Sequence, residues 1–424
     1  METGKNKGGL AGVLALVFFI GVLPFLWQTN PLNDAEDHRS WHLPTVRAIA
    51  GHFPQLDLEN DPKAAMTPGY HYLLAGLMVC GANETLLRGV HVALSLGLIL
   101  VLGWRLSRVL SIQEVVFWLG PLIFSPYFLK ASAWIVTDNP GLLGMTCTML
   151  FLVSPLKKEH LVGLTLGITL SFWFRQTYLW LLVPMAYALW ERGVTGRRWG
   201  SLFKMAGVGA LPVLSAAWVF WEWQGLVPPV WREINQSLTL NSSIHALALA
   251  ACIMGPGLWV FAKEGWLKFS PWWVASMLGG FCLAWSGPTT WSMEEGRWGG
   301  VLWNLTTMLP AWYERSLVFL FLVPVGAVVL TIWAEVLLRV AGVRGRIWCL
   351  SLACLILSWV SSKLAYQRYF EPPLFIFMIL GFYWTMRQRG DRTMGSRVAW
   401  VMGLLMVVQI LGLGWFWLRR MSGA

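Results

Sequence analysis

Between Asn30 and Tyr72 the sequence reads NPLNDAEDHRSWHLPTVRAIAGHFPQLDLENDPKAAMTPGYHY. Asp34, Glu36, Asp37, His38 and His42 fall within nine residues of it. Carboxylates held near a dry surface change their proton affinity and serve as general bases. Asp37, Asp34 and Glu36 are the three candidates for that role, with His38 and His42 beside them to orient a substrate. The structural alternative is a solvated acidic loop. Against it, Trp41, Leu43, Pro44 and Phe53 interrupt the polar residues, so the loop is expected to fold onto an apolar surface. A second chemistry is open to the same side chains: Asp34, Asp37, His38 and His42 are adequate metal ligands, and i,i+4 spacing puts the two histidines on one helical face. Their spacing fits no established metal motif. No metal site is assigned and no cofactor is expected, a divalent cation being the one open alternative.

Four further places carry chemistry. Asp138 sits in WIVTDNPG at the edge of an apolar run, and an ionisable group at membrane depth is a functional candidate. Its structural alternative is a helix-starting turn with Asn139 and Pro140. Arg175 and Gln176 lie in FWFRQTYLW. A guanidinium offers a planar fork of donors to a phosphate head group, whereas a snorkelling arginine only reaches for water. Glu294, Glu295 and Arg297 stand among Trp291, Trp298 and Trp303. Lys363 and Arg368 lie in SSKLAYQRYFEPP with Tyr369, and pairing of the basic residues with Glu371 is the alternative to anion binding. Asp61, Pro68 and Gly69 complete the candidate substrate groove.

The elements that must position these residues are apolar helices. Of the 424 residues, 56% are hydrophobic and 12% charged, about half the charge of a soluble domain. Many of the 29 tryptophans flank apolar runs, as interfacial anchors do. Spans are expected at 9–27, 88–104, 113–130, 132–153, 161–174, 178–190, 205–223, 244–262, 270–287, 314–338, 347–362, 372–386 and 398–418. The fold class is therefore an all-α polytopic membrane protein with about 12–14 transmembrane helices, forming one membrane domain over 1–424. The first apolar run follows Lys5 and Lys7 without a small-residue cleavage site and is read as an uncleaved span.

The net charge of +11 sits in short clusters between the runs. This suits the positive-inside rule and not nucleic-acid binding. Arg105, Arg108, Arg339, Arg344, Arg387 and Arg389 all fall on the inner side if the short apolar run 66–80 does not cross. That run is then a helix at the interface within a long first outer loop, 28–87. Arg419 and Arg420 would face outward after thirteen spans, against the rule. The six cysteines form no CxxC pair and are read as small buried thiols.

At these residues the chain resembles the dolichyl-phosphate-glucose α-1,2-glucosyltransferases, of the GT-C class of membrane glycosyltransferases. The likeness rests on PLNDAEDHRSWHLP followed by GHF (Gly51, His52, Phe53), on DPKAAMTPG at 61–69, on FRQT at 174–177 with Trp180, and on KLAYQRYFEPP at 363–373. They occur in the family's order. The first stretch carries an insertion before His42, and 294–303 follows the family's charged-aromatic segment loosely. Short inner loops make the chain look like a bacterial relative. The resemblance implies a GT-C-like fold, a polyprenyl-phosphate sugar donor and inversion at the sugar carbon. No Rossmann or P-loop glycine pattern is present, which agrees.

The expected activity is inverting transfer of a glucose-like hexose from that donor to a lipid-linked or surface glycan. One of Asp37, Asp34 and Glu36 acts as base. His38, His42 and Asp138 orient the acceptor, and Arg175, Gln176, Lys363 and Arg368 bind the donor phosphate. The expected partners are the bilayer, the donor and the acceptor. The active face lies on the non-cytoplasmic side, of the inner membrane in a bacterium or of the endoplasmic reticulum in a eukaryote. A transporter or flippase for a lipid-linked sugar is the reading from another class, and a GT-C enzyme acting on protein or lipid A is a third.

Overall fold

The computed structural model describes residues 7–26, 33–154, 158–193, 198–235, 237–390 and 393–421. Its helices run in chain order α1 (Lys7–Leu26), α2 (Asn33–Asp37), α3 (Leu43–Ala50), α4 (Gly69–Val79), α5 (Glu84–Leu106), α6 (Ile112–Ile123), α7 (Pro126–Ala133), α8 (Asp138–Leu152), α9 (Lys158–Phe174), α10 (Leu182–Gly193), α11 (Arg198–Trp223), α12 (Arg232–Asn235), α13 (Asn241–Met254), α14 (Leu258–Lys263), α15 (Pro271–Trp285), α16 (Val301–Leu305), α17 (Leu317–Ala341), α18 (Val343–Ser358), α19 (Glu371–Arg389) and α20 (Thr393–Met421). A π-helical turn, His38–His42, joins α2 to α3. The described β structure is a two-stranded hairpin, Ala311–Trp312 with Arg315–Ser316, and one isolated bridge between Ser292 and Arg297.

Local chemistry explains many of the ends. Ser111 caps α6 in a capping box with Glu114, satisfying the donors a helix start leaves open. Ser270 and Ser316 cap α15 and α17. Gly390 closes α19 in the left-handed region, at φ 69°, where glycine avoids the Cβ penalty.

Six helices are long and apolar enough to cross a membrane: Gly8–Leu26, Glu84–Leu106, Trp199–Trp223, Asn241–Lys263 (α13 run on into α14), Leu317–Ala341 and Thr393–Trp415. The number rises to seven if α6 and α7 form one broken span. This is the build of an all-helical polytopic membrane protein. Side chains such as Phe203, Leu214 and Trp221 of α11 and Trp400 and Leu411 of α20 are exposed, an apolar surface that lipid covers and water would not.

Every expected span falls on helix, but the number long enough alone is half of that foreseen. The helices α8, α9, α15 and α18 have 15, 17, 15 and 16 residues. At 1.5 Å per residue they reach about 22–26 Å, short of the ~30 Å hydrocarbon layer. The expected single span 113–130 is two helices bent by 77°. Pro126 opens the second of them, and proline constrains the residue before it away from helical geometry. The expected span 132–153 starts only at Asp138. The run 66–80 forms α4 from Gly69, 11 residues or about 16 Å, too short to cross.

Contacts divide the chain into two units: Met1–Gly21, Leu102–Phe128 and Ser237–Ala424 make unit 1, and Val22–Val101 and Leu129–Gln236 make unit 2. In unit 2, α3 packs on α4 around Val46, Ile49, Tyr70, Leu74, Leu87 and Ile135. In unit 1, α17 packs against α13 so closely that a Cβ on Gly326 would lie 1.8 Å from the Leu247 carbonyl oxygen. Small residues allow such approach between apolar helices.

All six cysteines are free, but none is buried: Cys80, Cys252 and Cys282 are exposed and the other three half-buried. The expectation of buried thiols fails because the apolar runs turn these positions outward, not into the protein core. The side chains of Arg419 and Arg420 lie outside the described residues, as do Pro31 and Leu32.

Candidate functional site

Unit 2 gathers the acids and histidines of the first loop. Asp34 stands in α2 with its side chain outside the described residues. Glu36 is exposed and accepts a hydrogen bond from Ser40 Oγ at 2.5 Å. Asp37 is half-buried and ends α2. The π turn that follows buries both histidines, and turns of this kind are frequent at functional sites.

The histidines take different partners. His38 is fully buried, and its Nε2 lies 3.1 Å from Glu84 Oε1. A carboxylate has no proton to give, so Nε2–H donates. Arg47 approaches the other oxygen of Glu84 at 3.6 Å. Burial lowers the pKa of His38, partly opposed by the hydrogen bond and charge of Glu84. His42 Nδ1 meets His71 Nε2 at 2.8 Å, with the rings stacked at 5.1 Å and 13°. Burial brings the pKa of His71 down to about 3, so at neutral pH this imidazole carries no charge. The i,i+4 pair therefore does not converge. Among the described residues no three His, Cys, Asp or Glu side chains gather where a metal would bind.

Asp138 is the first residue of α8, and Arg175 follows α9. Both are buried, and Arg175 Nη1 donates to Asp138 Oδ1 at 2.5 Å. The candidate phosphate ligand and the candidate acceptor-orienting acid are thus one ion pair. A phosphate at Arg175 competes with Asp138 for the guanidinium. Asn139, next in α8, donates through Nδ2 to Ser95 and Ser132 at 3.0 and 2.8 Å.

Two of the stretches singled out in the sequence meet here across more than a hundred residues. Gln176 Oε1 accepts from Thr67 N at 3.1 Å, and Gln176 Nε2 donates to the Ala65 carbonyl at 2.8 Å. Thr67 Oγ1 donates to the Phe172 carbonyl at 2.6 Å. Pro68 is the N-cap of α4, and Gly69 lies against Trp173, where a Cβ would come within 2.6 Å of the Trp173 Cβ and 2.9 Å of its carbonyl oxygen. So DPKAAMTPG is laced to FRQT, with Gln176 as the knot. Asp61 is buried and accepts from His52 Nε2 and from Asp57 N, each at 2.8 Å. That pairing raises the pKa of His52. It joins the GHF stretch to the DPK stretch.

Unit 1 laces the remaining stretches together. The loop at 292–300 pairs with 363–367 through main-chain bonds: Ala365 N donates to Gly296 O at 3.1 Å and Gln367 N to Gly299 O at 2.7 Å. Trp303 Nε1 adds a bond to Ala365 O at 2.8 Å. Glu294 and Glu295 are exposed, whereas Arg297 is buried and donates to the Thr290 carbonyl. Burial lowers its pKa, opposed by Glu295 and Glu314. Lys363 is half-buried. The Arg368 guanidinium lies over Tyr366 and Tyr369, 5.4 and 5.3 Å from their ring centres. Tyr369 in turn stacks on Trp359 at 4.3 Å. Glu371 is buried and accepts from Ser125 Oγ at 2.7 Å, Gln367 Nε2 at 2.6 Å and Gln409 Nε2 at 3.4 Å.

No protein-family model matches the chain, and no curated protein and no solved structure matches it.

Sequence reasoning missed Glu84, Thr67, His71 and Gln367. Glu84 reads as an ordinary first-turn acid of a span. Its one signal is that it opens the next helix after an acid-rich loop. Thr67 and His71 flank Pro68-Gly69, and their weight shows only through contacts with residues far away in sequence.

Proposed function

We propose that the chain is an inverting membrane glycosyltransferase, moving a hexose from a polyprenyl-phosphate donor to a lipid-linked or surface glycan. The observation that supports this reading is the lacing of the resembling stretches. His52 bonds Asp61, and 65–67 bonds Gln176 in unit 2, while 296–299 bonds 365–367 in unit 1. Stretches that resemble one enzyme family are hydrogen-bonded to one another, the 67–176 and 296–365 bonds joining segments far apart in the chain.

The chemistry needs three things. A base near the first loop takes the proton of the attacking hydroxyl, a contribution of ~10²–10⁴-fold. The candidates there are Asp34, Glu36, Asp37 and the histidines beside them. Cationic donors stabilise the departing phosphate, a part that Arg368, Lys363 and Arg175 suit. Main-chain lacing holds the loops that carry these groups.

The test is to incubate purified protein with polyprenyl-phosphate hexoses and follow lipid-phosphate release with and without a glycan acceptor. Acceptor-dependent release is expected. Translocation of an intact lipid-linked sugar with no release would instead favour the transporter reading. One observation favours that second reading: α6 and α7 make a helix broken at 77°, and Ser125 at the break bonds the buried Glu371. Broken helices recur at transporter sites.

A further inference from the structure

We propose that His38, held by Glu84, is the base that takes the proton of the acceptor hydroxyl, and that Trp134 Nε1 donates to the same oxygen. This rests on the glycosyltransferase reading and names its base. Two buried polar atoms carry the inference. His38 Nδ1 and Trp134 Nε1 have no hydrogen-bond partner among the described residues, although His38 is 0% and Trp134 3% exposed. Buried polar atoms in native proteins are almost always paired, so each exception calls for an explanation. Here the two sit on neighbouring rings, with centres 5.5 Å apart.

Their chemistry selects the ligand. Nε2–H of His38 is committed to Glu84, so Nδ1 presents a lone pair. The indole Nε1–H is a donor only. A bare phosphate would suit the indole and be repelled by the lone pair, while a cation would suit the lone pair and be repelled by the N–H. A hydroxyl satisfies both, because it donates once and accepts as well. The carboxylate–imidazole pair is also the arrangement that fixes a histidine tautomer and stabilises the imidazolium formed when it takes a proton.

The step balances. The acceptor oxygen bonds the anomeric carbon as the bond from that carbon to the phosphate oxygen breaks. The electron pair of the broken bond leaves on the lipid phosphate. The hydroxyl proton moves to His38 Nδ1, giving an imidazolium beside the Glu84 carboxylate. Charged and titratable groups facing His38 are Glu84, Arg39, Arg88 and His91, with Arg47 on the far side of Glu84. Arg88 and Arg39 lie over the Trp134 ring, 4.1 and 5.7 Å from its centre.

The experiment uses the full chain and the lipid-phosphate release assay. His38→Gln keeps an amide donor for Glu84 and removes the base. It should lower kcat by ~10²-fold or more with the donor KM unchanged. Glu84 is a positioning residue. Glu84→Gln should move the acid limb of the kcat profile to lower pH, because the carboxylate no longer favours the imidazolium. Trp134→Phe keeps the ring and should raise the acceptor KM roughly tenfold, leaving the donor KM alone. Assays with and without glycan distinguish a saccharide hydroxyl from water. Release that needs the glycan supports the assignment, and equal release without it overturns it. A wild type that releases nothing overturns the glycosyltransferase reading and this assignment together. An active wild type with His38→Gln within about threefold of it, or with an acid limb unmoved in Glu84→Gln, overturns this assignment alone.

Discussion

Unit 2 contains His38, His42, His52, His71, His91 and His160, whereas unit 1 contains His245. In unit 2 all but His160, which faces the Phe151 ring, meet groups that titrate: Glu84 for His38, His71 and His42 for each other, Asp61 for His52, and Tyr70 for His91. His245 instead sits among the rings of Trp303, Phe319 and Phe370, with both nitrogens unpaired among the described residues. Two buried carboxylates show the same contrast, although unit 1 also pairs Glu264 with Arg397. Asp138 meets a guanidinium, while Glu371 accepts from a hydroxyl and two amides. The difference separates tasks. Chains of titrating groups accept and pass protons, so their strength varies with pH. Amide, ring and main-chain lacing holds a shape across the pH range.

The sharpest way to break this comparison is at the ion pair of unit 2. Removing one partner of a buried pair leaves an uncompensated charge and costs about 3–5 kcal/mol. Arg175→Ala and Asp138→Ala should each lower unfolding free energy in mixed detergent by that amount, and the double variant by less than their sum. Additive losses would mean that the two residues act independently. Arg175→Lys should recover only part, since lysine lacks the planar fork.

The next effect probes shape alone. Gly326→Ala puts a methyl group against the Leu247 carbonyl in unit 1, and overpacking of this kind costs about 1–3 kcal/mol. Gly69→Ala does the same against Trp173 in unit 2. Both losses should be independent of pH when melting is followed across the range. A pH-dependent loss for Gly326→Ala would show that unit 1 also depends on titrating groups.

Of comparable size is Gln367→Ala, which removes a donor to Glu371 and an amide oxygen that accepts from Leu302 N. About 1–3 kcal/mol is expected for a buried polar group left short of a partner. A melting temperature equal to wild type would take the amide network out of the account of unit 1.

The smallest effect is the pH slope itself. His52 has a raised pKa, caused first by its bond to Asp61. A group raised on folding adds stability that is fully present below its unfolded value, about 6.5, and fades as pH rises through its folded value. The melting temperature should therefore drift down as pH rises above about 6.5, and the drift should vanish in His52→Gln. His38, lowered by burial, works in the opposite direction. Its contribution is present above about 6.5 and is lost as pH falls through its lowered folded value. An unchanged slope in His52→Gln would remove the Asp61 pair from the account.

Much of this was legible in the residues. The apolar runs marked every long helix, because a stretch of some twenty apolar residues has few other uses. The short run at 66–80 was separable by length. The break between α6 and α7 was not seen, although Pro126 announced it: the apolar residues on both sides run on without a gap, and hydropathy is blind to direction. Arg175 and Asp138 are each candidates in the sequence, but their union is not legible there, because 37 residues separate them and nothing in either neighbourhood names the other. Gln176 stands out in the sequence for its side chain, yet its partners are a main-chain N–H and a main-chain carbonyl, which no sequence pattern distinguishes. Glu84 does not stand out in the sequence, because a first-turn acid at a helix start already has an adequate explanation in the helix dipole.

One consequence follows from the placement of the thiols. Cys252 lies on the candidate span Asn241–Lys263 and Cys282 on the apolar helix α15, while Cys80 stands exposed in the turn after α4. A water-soluble maleimide that does not cross bilayers meets lipid at the first two and water at the third. The native chain thus carries its own reporter of which side the first loop faces. Sealed vesicles of known orientation would give the answer without a single substitution, and protease mapping of the labelled fragment would confirm the site.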